Sequence, residues 1–376
     1  MVRGRKYVMN IPAFTLSRQI QEIGPAVEEA MHEVVNSGQF ILGPQVQAFE
    51  ERIAQMTGTG YAVGVANGSD ALYLALRAAG VGPGDEVITT PFTFFATAGS
   101  ILRTGAKPVF TDINLDTFNM DPDQASARIS PRTRAMLPVH LFGLMADIDA
   151  LRQHYAGVII EDAAQAIGAT LRNKPAGSVG DLAAFSFFPT KNLGAFGDAG
   201  MVTTTNDRWA TMLRSLRVHG SRQKYHHEWL GINSRLDAVQ AAVLNVKLKY
   251  LADWTTRRQQ IAERYRQGFV ERRVSDIHIP SVPQGFSHVF HQYTIRAEAR
   301  DRLSAYLKER GIGTTVYYPL SLHLQPALRD LGYRLGDFPR SEQAQDEVLS
   351  LPMFPELTDQ EVDYVVQQIA AFYQGG

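Results

Sequence analysis

The first two thirds of the chain alternate between short apolar segments with strand character and longer segments with helical spacing. A strand, a helix and the next strand in this order form a crossover that places the two strands parallel in one sheet. The predicted fold class is therefore α/β, with a three-layer α/β/α large domain and a mainly parallel sheet. The predicted strands are residues 61–65, 86–89, 107–110, 135–139, 158–160 and 183–187, and the helices include 26–35, 46–56 and 69–79.

The last third of the chain has a different pattern. Residues 234–269 form one long stretch with helical spacing that contains no proline. Strands near 289–296 and helices at 302–310 and 359–373 then indicate a smaller α+β unit. We expect the long helix to join the two units. The predicted domains are a large domain at 15–250 and a small C-terminal domain at 251–376.

Composition excludes several classes of function. Lysine and arginine number 37 against 38 acidic residues, so no overall field attracts nucleic acid or an anionic membrane. The chain has no cysteine, which excludes disulfides, thiolate nucleophiles and cysteine-bound metals. His226 and His227 are adjacent but lack a third ligand at a supporting spacing, so no metal is expected. Without an apolar run of spanning length or a signal-like start, the expected location is the cytoplasm, away from the membrane.

Two residues at predicted strand ends carry the chemistry. Lys191 follows the strand at 183–187 and precedes a glycine-rich loop, and Asp162 ends the strand that begins at residue 158. Taken alone, Lys191 is an ordinary surface lysine and Asp162 an ordinary helix cap. Together they favour a pyridoxal phosphate site, since an enclosed lysine forms a Schiff base and a carboxylate keeps a pyridine nitrogen protonated.

Other candidates also follow strands. Gly68 and Ser69 lie where a strand gives way to a helix, and free N–H groups there bind anions such as phosphate. Ser186 adds a hydroxyl just before the lysine loop. Phe94 follows the strand at 86–89, where it can stack on a planar ring. The alternatives are an ordinary capped turn for the first pair and core packing for the phenylalanine.

These motifs, in this order, resemble the DegT/StrS-type nucleotide-sugar aminotransferases. The resemblance extends from about residue 20 to about residue 360 and implies fold type I of the pyridoxal-phosphate enzymes. The matching motifs are Asn-Gly-Ser-Asp at 67–70, Pro-Phe-Thr-Phe-Phe-Ala-Thr at 91–97, Glu-Asp-Ala-Ala-Gln at 161–165, Ser-Phe-Phe-Pro-Thr-Lys at 186–191 and Gly-Ile-Asn-Ser-Arg-Leu-Asp at 231–237.

The resemblance implies a role for each matching residue around the cofactor, pyridoxal 5′-phosphate. Lys191 becomes the Schiff-base lysine and proton carrier, and Asp162 the partner of the pyridine nitrogen. Gln165 becomes a neighbour of the ring hydroxyl and Phe94 the stacking residue.

The resemblance also implies a phosphate site and a second protomer. Gly68, Ser69 and Ser186 would bind the phosphate. Asn233 would reach the phosphate of the other protomer's cofactor, which implies a homodimer with composite active sites.

The implied reaction moves the amino group of L-glutamate to a keto group of a nucleotide-linked sugar. Sugar 3-dehydratases that resemble this family carry histidine where Lys191 stands here, so the lysine favours transamination. The stretch at 224–237 is similar to members that aminate carbon 3 of a dTDP-linked deoxyhexose or a UDP-linked 2-acetamido sugar acid. Two further hypotheses stay open, namely a cyclitol or aminobenzoate-type acceptor and a regulatory protein without turnover.

Candidates for substrate binding lie in three further segments. Arg222, Lys224 and His227 can face a diphosphate or a sugar hydroxyl, although a solvated loop is an equal alternative. The resemblance places Tyr318 and His323 near the substrate entrance, where a satisfied tyrosine and a turn histidine are the alternatives. A final candidate, His140, is either a wall of the site or a buried polar residue.

Overall fold

The structure is a computed structural model that describes residues 9–223 and 225–375. Its helices are α1 Ser17–Ser37, α2 Pro44–Thr57, α3 Gly68–Ala78, α4 Ala96–Arg103, α5 Pro122–Ser126, α6 Ile148–His154, α7 Asp207–Leu216, α8 Ala238–Lys247, α9 Leu251–Glu271, α10 Arg300–Lys308, α11 Pro339–Glu347 and α12 Asp359–Gln374. Its strands are β1 Tyr61–Val65, β2 Glu86–Thr89, β3 Lys107–Phe110, β4 Thr133–Met136, β5 Val158–Asp162, β6 Thr170–Leu171, β7 Lys174–Pro175, β8 Leu182–Ser186, β9 Gly200–Thr204, β10 Ser221–Gln223, β11 His226–His227, β12 Ile277–His278, β13 Phe286–Ser287, β14 Tyr293–Ala297 and β15 Val348–Leu351.

The central sheet has seven strands in the order β1-β9-β8-β5-β4-β2-β3. All pairs from β8 to β3 are parallel, and only β9 runs antiparallel to its two neighbours. Buried residues of α3, α4 and α7 cover one face, and those of α2, α6 and α8 cover the other. The predicted three-layer α/β/α arrangement with a mainly parallel sheet is confirmed.

Strand β9 was not predicted from the sequence. Its five residues begin with glycine and directly follow a glycine-rich loop, so the pattern gives no clear start for a strand although Val202, Thr203 and Thr204 are β-branched. Gly200 pairs with Val65 of β1 and with Ser186 of β8. The antiparallel strand therefore starts at the edge where its neighbours end.

The predicted long helix at 234–269 is wrong in one respect, because a 3₁₀ turn at Leu248–Tyr250 separates α8 from α9. Helix α8 packs on α1 and α2 beside the central sheet, whereas α9 packs on α12. Since the two halves bury their apolar faces against different cores, the tighter turn lets the helix direction change without proline or glycine.

The C-terminal unit is α+β, as predicted. Strands β12, β14 and β15 form an antiparallel sheet, and α9, α10 and α12 pack on it around a core that includes Ile295, Leu303 and Val365. Ile11 joins this core from the other end of the chain, and Val289 packs with the central sheet instead. The division into 15–250 and 251–376 stays a prediction.

Within the described ranges, no helix is long and apolar enough to cross a membrane. The same residues contain no group of three or more histidine, aspartate or glutamate side chains arranged to hold a metal ion.

Candidate active site

The candidate site lies at the edge of the sheet where β1, β5 and β8 end. Because these strands run in the same direction, their carboxyl ends meet at one edge, which is the usual ligand-binding edge of an open α/β sheet. Asp162 ends β5, Ser186 ends β8, and Gly68 begins the helix that follows β1.

Two adjacent carboxylates at the end of β5 point to opposite faces of the sheet. Glu161 is fully buried, and its oxygens accept hydrogen bonds from His140 and from three backbone amides within residues 177–180. Asp162 points to the face covered by α3 and α4. Glu161 therefore anchors a loop, and Asp162 is left for the site.

A chain of two hydroxyl groups holds Asp162. Thr97 Oγ1 donates to Asp162 Oδ2 at 2.8 Å, and Thr93 Oγ1 lies 3.1 Å from Thr97 Oγ1. Thr97 has one hydroxyl proton, which Asp162 accepts, so Thr93 is the donor in the second bond. The backbone amide of Ala164 donates to Asp162 Oδ1 at 3.3 Å. Both threonines are buried, so water does not compete for these bonds.

Burial and charge act on Asp162 and Lys191 in opposite directions. Burial raises the pKa of Asp162 above its ordinary value, while the hydrogen bond from Thr97 and the charge of Lys191 oppose that shift. Burial lowers the pKa of Lys191 to about 8, against the opposing effect of the Asp162 carboxylate. A neutral amine is therefore accessible to Lys191 at mildly alkaline pH.

The amine of Lys191 is free within the described part of the chain. Its backbone N–H donates to Phe188 O at 2.8 Å, which fixes the turn, but its Nζ has no hydrogen bond or ion pair with a described residue. The side chain is partly exposed where the loop faces the open end of the sheet. A nucleophile with these properties is ready to react with a carbonyl group.

The β1–α3 connection forms a close cradle against β8. A Cβ at Gly68 would lie 2.6 Å from Ser186 Cβ, and a Cβ at Gly200 would lie 2.4 Å from the carbonyl group of Asn67. The Asn67 side chain accepts from the Asp70 amide at 2.8 Å.

This cap leaves the first amides of α3 open. No described residue accepts from the N–H groups of Gly68 and Ser69, which lie beside the Ser186 hydroxyl at the positive end of the helix dipole. The cradle therefore fits a phosphate group.

Gln165, Tyr318 and Phe94 form a further wall. Gln165 Oε1 accepts from the Phe142 amide at 2.6 Å, and its Nε2 donates to the Tyr318 hydroxyl at 3.2 Å. The Tyr318 ring lies 6.3 Å from the ring of Phe94, which is 58% exposed. Burial raises the pKa of Tyr318 well above its ordinary value, so its hydroxyl stays protonated. Phe94 therefore offers an open aromatic face at the mouth of the site.

These residues fit pyridoxal phosphate. The cradle suits its phosphate, Lys191 its aldehyde carbon, Asp162 its ring nitrogen and Phe94 its ring face. The predicted cofactor residues other than Asn233 are thus gathered at one edge of the sheet, and Tyr318 lies with them.

His140 does not face the site. Its Nε2 lies 2.7 Å from Glu161 Oε2, and its Nδ1 accepts from the Ala146 amide at 3.0 Å. The side chain is fully buried, and neither ring nitrogen is left for a substrate. The structure therefore favours the buried polar residue among the two sequence alternatives.

His323 is also buried. Its Nε2 lies 2.9 Å from Glu342 Oε1, and its ring packs edge-on against Phe338. With 2% of its surface exposed, it is closed off from solvent. The structure therefore favours the turn histidine among the two sequence alternatives. Of the two ring nitrogens, only Nδ1 has no hydrogen bond with a described residue.

The remaining candidates lie on the surface of the protomer. Arg222 and His227 belong to the exposed β10-β11 hairpin, where Arg222 lies 4.0 Å from Glu228. Asn233 is exposed in the segment before α8. Lys224 lies outside the described residues. None of the described members of this set forms a hydrogen bond, ion pair or ring contact with Lys191 or Asp162 of the same chain.

The sequence did not assign the two threonines. Both lie inside the quoted segment at 91–97, Thr97 in the first turn of α4 and Thr93 just before that helix. The signal available was two hydroxyl residues shortly after the predicted strand at 86–89. The sequence gives no indication of which acid the hydroxyls face.

Comparison with known proteins identifies the family. Residues 21–370 match the model of the DegT/DnrJ/EryC1/StrS aminotransferase family. The chain belongs to this family. Its members are pyridoxal-phosphate-dependent sugar aminotransferases, which agrees with the cofactor that the site fits.

Relatives and solved structures cover nearly the whole chain. The chain is 53% identical to a pleiotropic regulatory protein of Geobacillus stearothermophilus, over 97% of this chain and 99% of that protein. It is 42% identical to UDP-N-acetyl-3-dehydro-alpha-D-glucosamine 3-aminotransferase of Acidithiobacillus ferrooxidans, over 97% and 98%. The crystal structure of S. venezuelae DesV in complex with a ketimine intermediate superposes with a TM-score of 0.94 at 42% identity, covering 96% of this chain and 98% of that one.

The first prediction concerns the hydroxyl that holds Asp162. Thr97→Val removes the donor at nearly constant volume and should lower kcat/KM roughly tenfold to a hundredfold, since a hydrogen bond to a charged group contributes about 1.5–3 kcal/mol. Thr97→Ser keeps the hydroxyl and should keep most of the activity. Steady-state kinetics with thermal unfolding as control test this. Equal activity of the two variants would show that the hydroxyl has no role.

Proposed function

We propose that this protein transfers the amino group of L-glutamate to the keto group at carbon 3 of a dTDP- or UDP-linked keto-sugar, with pyridoxal phosphate as cofactor. The observation that carries the proposal is the free amine of Lys191, with its pKa lowered to about 8, at the strand edge that also holds Asp162. The expected site of the reaction in the cell is the cytoplasm.

When bound, pyridoxal phosphate supplies an electron sink for the carbanion that forms when a proton leaves the substrate carbon. The chain supplies the groups that hold and move protons. Asp162 would keep a negative charge beside the ring nitrogen, and Lys191 Nζ would take and return the proton at the reacting carbon. Because its pKa is close to neutral, Lys191 can perform both steps.

The choice of acceptor rests on a relative and on sequence. The 42% identical enzyme of A. ferrooxidans is named for amination at carbon 3 of a UDP-linked sugar. The stretch at 224–237 has the features of members that act at this carbon. One assay tests both acceptors. The pyridoxamine form of the enzyme is offered dTDP- and UDP-linked 3-keto-sugars and, separately, keto-inositols, and the aminated product is measured. Turnover of keto-inositols alone would overturn the nucleotide-sugar proposal.

A regulatory role is the second candidate, because the 53% identical relative from G. stearothermophilus is named a regulatory protein. A purely regulatory protein binds a nucleotide sugar without turnover. Release of 2-oxoglutarate from L-glutamate, in an amount equal to the protein, separates the two candidates.

The second prediction tests the nucleophile. Lys191→Ala should abolish covalent attachment of pyridoxal phosphate and lower transamination by at least roughly a thousandfold, as expected on loss of a catalytic nucleophile and base. Absorbance spectra and 2-oxoglutarate release measure the two effects. Lys249→Ala removes an exposed lysine and is the control. A Lys191→Ala protein with the parental spectrum would contradict the assignment.

The third prediction concerns pH. The neutral form of Lys191 attaches the cofactor, so the attachment rate should rise roughly tenfold per pH unit below about 8 and level off above it. Asp162→Asn removes the charge that raises this pKa, so the midpoint should move to lower pH. Stopped-flow absorbance of the cofactor-free protein measures both rates. A midpoint near the ordinary lysine pKa would contradict burial of the amine.

We also propose a homodimer with composite active sites. Asn233, Arg222 and His227 are exposed, and none of them forms a hydrogen bond or ion pair with Lys191 of the same chain. Phe94 and Phe188 are large apolar side chains that remain 58% and 49% exposed at the site edge. Both observations support a second copy that covers the site and brings the missing polar residues to it.

The fourth prediction is complementation. Lys191→Ala and Asn233→Asp are each expected to be inactive, the latter because a carboxylate faces the phosphate. Coexpressed copies should recover about a quarter of the parental activity, since half of the random dimers carry one intact site in two. Differently tagged copies confirm that mixed dimers form. Mixed dimers without activity would place Asn233 and Lys191 in the same protomer's site.

A further inference from the structure

The loop that carries Lys191 is closely packed on itself. The amide of Ala195 donates to Phe187 O and the amide of Lys191 donates to Phe188 O, both at 2.8 Å. A Cβ at Gly194 would lie 2.3 Å from the carbonyl oxygen of Pro189. Because the Gly194 backbone packs on the residues just before the lysine, its position helps to fix that of Lys191.

Helix α8 holds this loop from behind with two side chains. Lys247 Nζ donates to Gly194 O at 2.8 Å and lies 4.9 Å from the ring centroid of Phe196. Gln240, two turns earlier on the same helix, accepts from the Phe196 amide at 2.8 Å. A spacing of seven residues places Gln240 and Lys247 on one face of the helix. That face is a fixed support for the loop.

Lys247 belongs to a buried charged group. It is 1% exposed, burial lowers its pKa to about 8, and the nearby Glu356 carboxylate opposes this shift. Both carboxylate oxygens of Glu356 are buried. Burial raises the pKa of Glu356, and the charge of Arg258 opposes that shift. Glu356 is thus close enough for its charge to act on both cations, although no hydrogen bond or ion pair joins it to either among the described residues.

Arg258 extends the support to the other side of the loop. It is 2% exposed, and its Nη1 donates to Phe290 O at 3.1 Å and to Met353 O at 3.2 Å. The same stretch of chain holds the residue after Lys191, because Asn192 Nδ2 donates to Val289 O at 3.0 Å and Asn192 Oδ1 lies 3.1 Å from His291 Nδ1.

A fully buried lysine destabilises the folded chain relative to an apolar side chain of the same volume. An unbranched apolar side chain of similar length would avoid the cost of removing the ammonium from water, and buried ion pairs contribute little to net stability. What an apolar side chain cannot do is donate to the Gly194 carbonyl. The specific property that Lys247 supplies is therefore a fixed position for the loop.

We propose that Lys247 is a positioning residue for Lys191. Its ammonium holds the Gly194 carbonyl on one side of the loop, and Arg258 holds the segment at 288–292, which contacts Asn192 on the other. The catalytic amine is thereby aimed at the cofactor site from both sides of its loop. The catalytic consequence rests on the proposed function, whereas the effect on the loop does not.

The test compares Lys247→Met with Lys247→Arg. The methionine keeps the length without a donor, and the arginine keeps a charged donor. Lys249→Met replaces an exposed lysine two residues later and is the matched control. Hydrogen exchange of the full chain without cofactor, followed at the amides of Lys191 and Ala195, reports on the loop alone. The pH midpoint for cofactor attachment then reports on the amine.

Lys247→Met should speed exchange at these two amides roughly tenfold to a hundredfold, as expected for loss of a hydrogen bond from a charged donor, while exchange in β5 stays unchanged. The attachment midpoint should shift by at least roughly half a pH unit. Lys247→Arg should restore most of the loop protection. An unchanged loop, or equal acceleration throughout the chain, would overturn the proposal.

A second pair of variants tests the same proposal if Lys247→Met does not fold. Gln240→Leu removes the neighbouring contact with the Phe196 amide, and Glu356→Gln removes the negative charge beside Lys247. Both should loosen the loop locally, and unchanged exchange in both would overturn the proposal. If the loop responds as expected and no transamination occurs in the parent, only the proposed function is wrong.

Discussion

Asp162 is a carboxylate that is 4% exposed, and the arrangement of the site follows from that burial. An ionised acid in such a position loses its water and must be compensated by hydrogen bonds and nearby charge. The compensation comes from Thr97, from the Ala164 amide and from the charge of Lys191. Each of these groups is held in turn by its own element, so the carboxylate links β5, α4 and the lysine loop.

Glu161 and Asp162 are neighbours on one strand but have different roles, since the first holds a loop and the second faces the candidate site. The period of two along a strand places adjacent carboxylates on opposite faces. Glu161 is satisfied by His140 and three amides, whereas Asp162 has fewer donors and a cation close by. The loop at 177–180 depends on the first carboxylate and the site on the second.

Sequence patterns predicted most of the central sheet because buried parallel strands are short apolar runs that end in polar residues. Tyr61–Val65, Glu86–Thr89 and Lys107–Phe110 have the predicted bounds. Strand β9 begins at Gly200 directly after a glycine-rich loop, which hid its start, and the break at Leu248–Tyr250 has no proline or glycine to mark it.

The candidate site was predictable to the extent that its residues lie at strand ends. Lys191, Asp162 and Gly68 follow strands whose order in the sheet brings them to one edge. The burial of His140 and His323 was not predictable, because it depends on Glu161 and Glu342, and only the fold brings each acid to its histidine. For the same reason, the hydrogen bonds from Thr93 to Thr97 and from Thr97 to Asp162 were not predictable from the sequence.

Lys191 and Lys247 show why a lowered pKa does not by itself mark a catalytic lysine. Burial lowers the pKa of both to about 8, and a neighbouring carboxylate opposes the shift in each case. The two lysines differ in the hydrogen-bond partner of Nζ and in the exposure of the side chain. Lys247 donates to a backbone carbonyl beneath an aromatic ring and has 1% of its surface exposed. Lys191 Nζ has no acceptor among the described residues, and its side chain is partly exposed, so of the two amines it is the one left open to a ligand.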